Sequence, residues 1–256
     1  LNGGNGDFCL QTSNEDDRID NYFSQSWSTN TKNFVVVNDD KVNIYNWLKG
    51  SPESIGKKDI ESNFDKFYKY LLSKSFKTES DVVPFVLDVF RQLRNLTRES
   101  EKPSEALNLL FRLLISIDED YTNIDYVKWN INDFAVPYQF DYFVNLVKQG
   151  VKTINPQLDL ILRHTSGTLF QEAHREVIYF NPQRDLFGGI SNNLITKNDA
   201  YSSIHYTPQY LARSIVENSL KQLDLEKGSL KIFDPACGSS EFLIEALKQL
   251  KNLGYK

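Results

Sequence analysis

Methionine is absent from the 256 residues and residue 1 is leucine, so the sequence is expected to be a piece of a longer protein or to leave some residues unrepresented. Cysteine is nearly absent: Cys9 and Cys237 stand far apart, which excludes a disulfide framework and a zinc pattern and fits a reducing cytoplasm. The three histidines, His164, His174 and His205, lack ligand spacing, and no metal site is expected. A surplus of positive charge is missing, since 29 Lys and Arg against 34 Asp and Glu leave a net charge of −5. Composition therefore gives no electrostatic footprint for nucleic acid, and any such role must come from motifs. No basic-then-apolar leader opens the chain, and no apolar run approaches the roughly 18 residues of a membrane span; neither secretion nor a membrane partner is expected.

What is present suits a folded core: 40% of residues are apolar and 13% aromatic, and the length allows one large domain or two smaller ones. The first fifty residues, rich in Gly, Asn, Asp and Ser, read as loosely ordered with one short strand at Asn33–Val37, where β-branched residues precede the turn-forming Asn38-Asp39-Asp40. Residues 51–195 read as a helical domain. Phe64, Phe67, Tyr68, Leu71 and Leu72 recur at offsets of three and four, as do Phe85, Val86, Val89, Phe90 and Leu93. Another helix opens at Pro103-Ser104-Glu105, and residues 156–177 form a further helical region. Arg91, Arg94, Arg98 and Lys102 lie at helix-like intervals, a stripe that reads as a solvated face or as phosphate ligands. Asn181-Pro182-Gln183-Arg184 reads as a turn, and the Asn-rich residues 191–203 as a linker, with a boundary near residue 195.

The chemistry lies in residues 196–256. Leu230, Ile232 and Phe233 predict a short strand, Asp234-Pro235-Ala236-Cys237-Gly238-Ser239-Ser240 a tight loop, and Glu241 to Leu247 a helix. Small residues let such a loop approach a ligand closely, and the helix start offers unpaired amides and a positive dipole end. Neither the Gly-Lys-Ser/Thr of a Walker loop nor the three-glycine dinucleotide spacing is present. Asp234 at the strand end can accept from loop amides or a ligand ammonium, which points to S-adenosylmethionine. Upstream, Tyr206-Thr207-Pro208 opens a second helix, with Thr207 as the expected N-cap and Pro208 at the first helical position. Leu211, Ala212, Ile215, Val216, Ser219, Leu220 and Leu223 then form a stripe expected to pack on a sheet.

The string Phe-Asp-Pro-Ala-Cys-Gly-Ser-Ser-Glu-Phe-Leu resembles the first motif of the N6-adenine and N4-cytosine DNA methyltransferases, and Tyr206-Thr207-Pro208 resembles their tenth. The order of the two blocks is the family's gamma arrangement. The resemblance implies a mainly α N-terminal helical domain followed by the start of an α/β, Rossmann-like, S-adenosylmethionine-dependent methyltransferase domain. It implies S-adenosyl-L-methionine as cofactor, with Tyr206, Thr207, Pro208, Asp234, Pro235, Ala236, Cys237, Gly238, Ser239 and Phe242 around it. It also implies double-stranded DNA as substrate, adenine N6 as the methylated atom, and specificity and restriction subunits as partners in a restriction-modification system. The block Leu160–Phe170 resembles sequence ahead of the methyltransferase core in large enzymes of such systems.

The family's catalytic Asn/Asp-Pro-Pro-aromatic motif is not found in the 256 residues, so no catalytic residue is assigned and the segment alone is expected to be inactive. A helical DNA-binding or subunit-interaction module with a non-catalytic cofactor fold, and an RNA or protein methyltransferase, are the alternative readings. Cys237 is expected to be an apolar-lined loop residue and not a nucleophile. Ser240 departs from the usual glycine; if the backbone there needs positive φ, serine strains the loop and weakens cofactor affinity.

Overall fold

The run Phe34-Val35-Val36-Val37 is apolar on both sides of the pleat, the pattern of a strand covered on two faces. The structure is a computed structural model that describes residues 2–3, 8–13, 19–73, 82–96, 103–133, 135–178, 182–184, 190–192, 207–223, 230–238 and 240–255. Its sheet has the order β1 (Asn2–Gly3), β2 (Phe8–Thr12), β3 (Asn33–Val37), β4 (Lys41–Tyr45), β5 (Glu53–Gly56). β2 and β3 are parallel, with Phe8 opposite Asn33 and Thr12 opposite Val37, and are joined through helix α1 (Ile19–Ser28); the other pairs are antiparallel. Phe34 and Val36 pack with Cys9, Tyr22 and Tyr45 on one face. Val35 packs with Val42, Ile44, Ile60 and Leu71 on the other, beneath helices α2 (Lys57–Ser62) and α3 (Phe64–Ser73).

This corrects the expectation for the N-terminal segment. Residues 8–13 and 19–56 are an ordered βαβ unit extended by a meander, not a loose stretch with one strand. Polar residues hid it. Ser24 Oγ and Ser28 Oγ of α1 accept from the backbone amides of Asn155 and Gln157, and Asn21 accepts from the Gln157 side chain. The polarity of α1 is thus spent on a distant part of the chain.

The helical region follows its periodicity. It comprises α4 (Val82–Leu96), α5 (Pro103–Ile115), the short α6 (Tyr126–Trp129), α7 (Phe140–Gln149), α8 (Leu158–His164) and α9 (Ser166–Ile178). Their apolar stripes bury Phe90, Leu93, Leu113, Phe140, Ile161 and Ala173 in one core, and Trp27 of α1, 1% exposed, joins it. Helix α1 therefore packs on both the sheet and the helical core.

Of the two described residues of the basic stripe, Arg94 is buried and turned away from solvent, while Arg91 stays exposed. Arg94, 3% exposed, donates to the carbonyls of Glu176 at 2.7 Å and Val177 at 3.3 Å. These carbonyls lie in the last turn of α9, where backbone acceptors lack helical partners and the dipole is negative. Burial lowers the Arg94 pKa to about 10 against the opposing pull of Glu176. Arg91 pairs with the Glu176 carboxylate at 2.5 Å. Arg98 and Lys102 lie outside the described residues.

Pro182–Arg184, expected as a turn, is strand β6, antiparallel to β7 (Ile190–Asn192). The expected linker therefore begins within a strand; its remainder and the boundary near residue 195 lie outside the described residues. No described helix is long and apolar enough to cross a membrane. The described fold is mostly helical with one small mixed sheet near its start and a two-stranded ribbon.

Candidate cofactor site

Two helices carry the site, α10 (Gln209–Leu220) and α11 (Glu241–Asn252). Each has an apolar residue about every turn, and Val216, Leu220, Ala246 and Leu250 meet in a shared core flanked by Leu230, Phe242 and Tyr255. The α10 stripe thus packs on α11, not on a sheet; Ala212 is buried, while Leu211, Ile215 and Leu223 remain exposed. Phe242, assigned to the cofactor by resemblance, belongs to this helix–helix cluster.

Residues 230–233 form no ladder among the described residues, and Phe233 is 85% exposed. A strand exists through its partners, and none of the described strands lies beside these residues. The predicted strand is therefore coil, and the described residues do not display a Rossmann-like sheet.

The loop that follows is tightly wound. Asp234 Oδ1 accepts from the Ala236 amide at 3.0 Å, an Asx turn that folds the chain back over Pro235. Asp234 Oδ2 is buried without a hydrogen-bond partner. Gly238 has φ +48° and Ser240 φ +64°, and the Ser240 amide donates to the Cys237 carbonyl at 2.5 Å. Two left-handed residues around position 239 turn the chain into α11. Ser240 is the N-cap of that helix but makes no side-chain cap bond, because its left-handed backbone replaces the extended conformation in which a serine hydroxyl caps. The strain foreseen at serine is present in the backbone. Cys237 is exposed, not apolar-lined, since the turn throws it outward. Ser239 lies outside the described residues.

The other block begins one residue later than expected. Pro208, with φ −60° and ψ 142°, is itself the N-cap of α10, and its carbonyl accepts from Leu211 and Ala212. Thr207 precedes it, half-buried, and makes no cap bond. Proline fits an N-cap because its fixed φ is compatible with extended backbone and its missing amide hydrogen goes unused. Tyr206 and His205 lie outside the described residues.

The residues that bring the blocks together were not singled out by sequence. Glu241, the first residue of α11, is 5% exposed, and burial raises its carboxyl pKa. Lys248, the Gly167 amide and the Gln209 side chain act against that rise, while Glu245 adds to it. Gln209 begins α10 and donates through Nε2 to the Arg163 carbonyl at 2.9 Å. The starts of α10 and α11 thus meet at the corner between α8 and α9, inside the Leu160–Phe170 block. The only advance signal was that block's resemblance. At the same corner the His164 Nδ1 and Ser166 Oγ are buried without hydrogen-bond partners. Desolvation, with Lys248 and Arg163 adding positive charge, lowers the His164 pKa to about 4. His174 stacks on Phe170, ring centroids 5.9 Å apart. No group of three or more His, Cys, Asp or Glu suited to a metal ion occurs among the described residues.

The loop's donor set suits a ligand with both an ammonium and a carboxylate. An unpartnered carboxylate oxygen sits beside a small-residue turn, and the first amides of α11 follow it. No curated protein and no solved structure matches the chain. Residues 182–256, which hold both motifs and the whole of α10 and α11, match the N-6 DNA Methylase family, in line with the resemblance carried by Tyr206-Thr207-Pro208 and by the Asp234–Gly238 loop.

Proposed function

We propose that the chain is the S-adenosyl-L-methionine-binding part of a site-specific DNA adenine-N6 methyltransferase of a restriction-modification system. The observation that carries this reading is the Asp234–Ser240 loop, with Asp234 Oδ2 unpartnered and two left-handed residues aiming the chain into α11, within a segment that matches N-6 DNA methylases. Asp234 accepts from the ligand ammonium, while Gly238 and the first amides of α11 receive its carboxylate side. Pro235 and Ala236 keep the backbone close to the ligand, and Thr207 and Pro208 border it from the start of α10. Phe242 supports the loop from below through its packing. The bound donor supplies a methyl group on a sulfonium, ready for transfer to an exocyclic amine without a metal.

The domain reading is an N-terminal unit of sheet and helices joined to the beginning of a methyltransferase domain near residue 196. Double-stranded DNA is the substrate, with specificity and restriction subunits as partners, in the cytoplasm. Isothermal titration of residues 1–256 with S-adenosylmethionine tests the core of this. Saturable binding is expected for the parent chain. For Asp234→Ala a loss of at least about tenfold is expected, because a charged hydrogen bond of about 1.5–3 kcal/mol disappears. Equal binding by both proteins would remove Asp234 from the site. The same chain incubated with DNA and labelled donor is expected to transfer no methyl group, since the residues that hold the target amine are not among these 256.

A further inference from the structure

Glu241 has features that donor binding alone does not explain. It is almost fully buried, and its Oε1 lacks a hydrogen-bond partner. A buried carboxyl group without full satisfaction is costly compared with an alanine in its place. Its place is also unusual: it directly follows Ser240, whose left-handed backbone ends the loop, so nothing separates the turn from the anchor. Wherever Glu241 is held, the end of the loop and the free amides of α11 are held too.

What holds it belongs to the helical part of the chain. The Gly167 amide, in the first turn of α9, and the Gln209 side chain both hydrogen-bond to the Glu241 carboxyl group. Gln209 in turn donates to the Arg163 carbonyl at the end of α8. Around this corner stand His164 and Ser166 with unpartnered buried atoms, while Lys248 and Arg213 of the site helices pair with Glu245 at 3.8 and 3.9 Å. Three helix starts, those of α9, α10 and α11, therefore converge on one carboxyl group.

We propose that Glu241 is a positioning residue that ties the 234–240 loop to the α8–α9 corner, so that occupancy of the loop by a methyl donor and the packing of the helical region are coupled. This rests on the reading of the loop as the donor site. Glu241 does not touch the donor; it fixes the register of α11 against α9, and with it the amides that do. Donor binding stiffens the loop, and the tether transmits that stiffening to residues 163–170. By reciprocity, a perturbed corner weakens donor binding by the same factor.

The experiment pairs titration with S-adenosylmethionine and amide hydrogen exchange on residues 1–256. In the parent chain, adding the donor is expected to slow exchange at residues 163–170. Glu241→Ala is expected to weaken donor binding about tenfold and to abolish that slowing. Glu241→Gln, which keeps an acceptor for the Gly167 amide, is expected to bind within about threefold of the parent and to retain it. A Glu241→Ala protein that is less stable to heat yet binds the donor normally, with the slowing intact, would reduce Glu241 to a packing residue and overturn the proposal. Should that variant fail to fold, Gln209→Ala cuts the tie from the other side: loss of the slowing supports the coupling and its persistence refutes it. If the parent chain binds no donor, the cofactor reading falls and the coupling falls with it. If the parent binds and the variants match it, the coupling alone is wrong.

Discussion

Ser240 is where the fold runs against the preference of an amino acid. A left-handed backbone costs a residue with a Cβ roughly 1–2 kcal/mol, and glycine nothing. At φ +64° and ψ +22°, serine bears that cost without recovering a capping hydrogen bond. Ser240→Gly is therefore expected to raise stability by about 1 kcal/mol, reduced somewhat because glycine also gains freedom in the unfolded chain. A urea midpoint measured on the two proteins reads the difference. If the loop holds the donor as proposed, donor affinity is expected to rise with it, since the free loop no longer resists the turn. A variant less stable than the parent would mean that the serine hydroxyl contributes something the backbone geometry does not reveal. The residue pattern alone makes the strain conditional on a positive φ at position 240; the fold supplies the angle.

At the scale of elements, the α8–α9 corner shows why some of the site escaped a reading of sequence. Gln209 and Glu241 carry no local signal, as each is a polar residue at a helix start, a position where such residues are ordinary. Their role appears only once Arg163 and Gly167 stand against them. Arg94 is similar: an arginine on a helix reads as solvated until the carbonyls of Glu176 and Val177, far along the chain, are seen to receive it. By contrast β3, α4 and α11 were legible because their apolar periods are strong and local. The strand expected at 230–233 finds no partner among the described residues for the opposite reason, since a strand's propensity is local but its hydrogen bonds are not.

His164 gives this corner a dependence on pH. Its pKa is lowered from 6.5 to about 4, first by desolvation and then by Lys248 and Arg163, so the folded state binds fewer protons than the unfolded state in between. The stabilisation from a neutral His164 is fully present above pH 6.5 and is lost as pH falls towards 4. Its full extent is on the order of 3 kcal/mol. Glu241 acts with the opposite sign: its carboxyl pKa is raised, so its protonated form favours the fold and its contribution declines as pH rises above the ordinary carboxylate value. Urea unfolding at pH 7 and pH 5 is expected to show a smaller loss on acidification for His164→Gln than for the parent. Identical losses in the two proteins would place the acid sensitivity elsewhere.

Across the whole molecule, Trp27 joins what the sequence kept apart. It stands on a helix whose other apolar residues, Tyr22 and Phe23, pack on the sheet. Its own indole enters the helical core beside Trp47 and Phe85, with ring centroids 6.3 and 5.2 Å away. The backbone approaches it closely as well: a Cβ at Gly150 would lie 3.2 Å from the ring and 1.9 Å from the Ile154 carbonyl oxygen, at a φ of +63° that already requires glycine. The polar face of α1 meanwhile holds residues 155 and 157. One side chain thus anchors the sheet layer to α4, α7 and the segment leading into α8, and so connects the N-terminal strands to the corner that the start of α11 meets. Truncating a buried tryptophan removes its transfer energy and leaves a cavity, a cost of about 3–5 kcal/mol. Trp27→Ala is expected to lose that amount in a urea titration, and in the parent the far-ultraviolet dichroism and the tryptophan fluorescence should report one transition, because α1 packs on both layers. Two separated transitions in the parent, with Trp27→Ala moving only the one that reports the sheet, would mean that the layers fold independently and that the tryptophan only fills space between them.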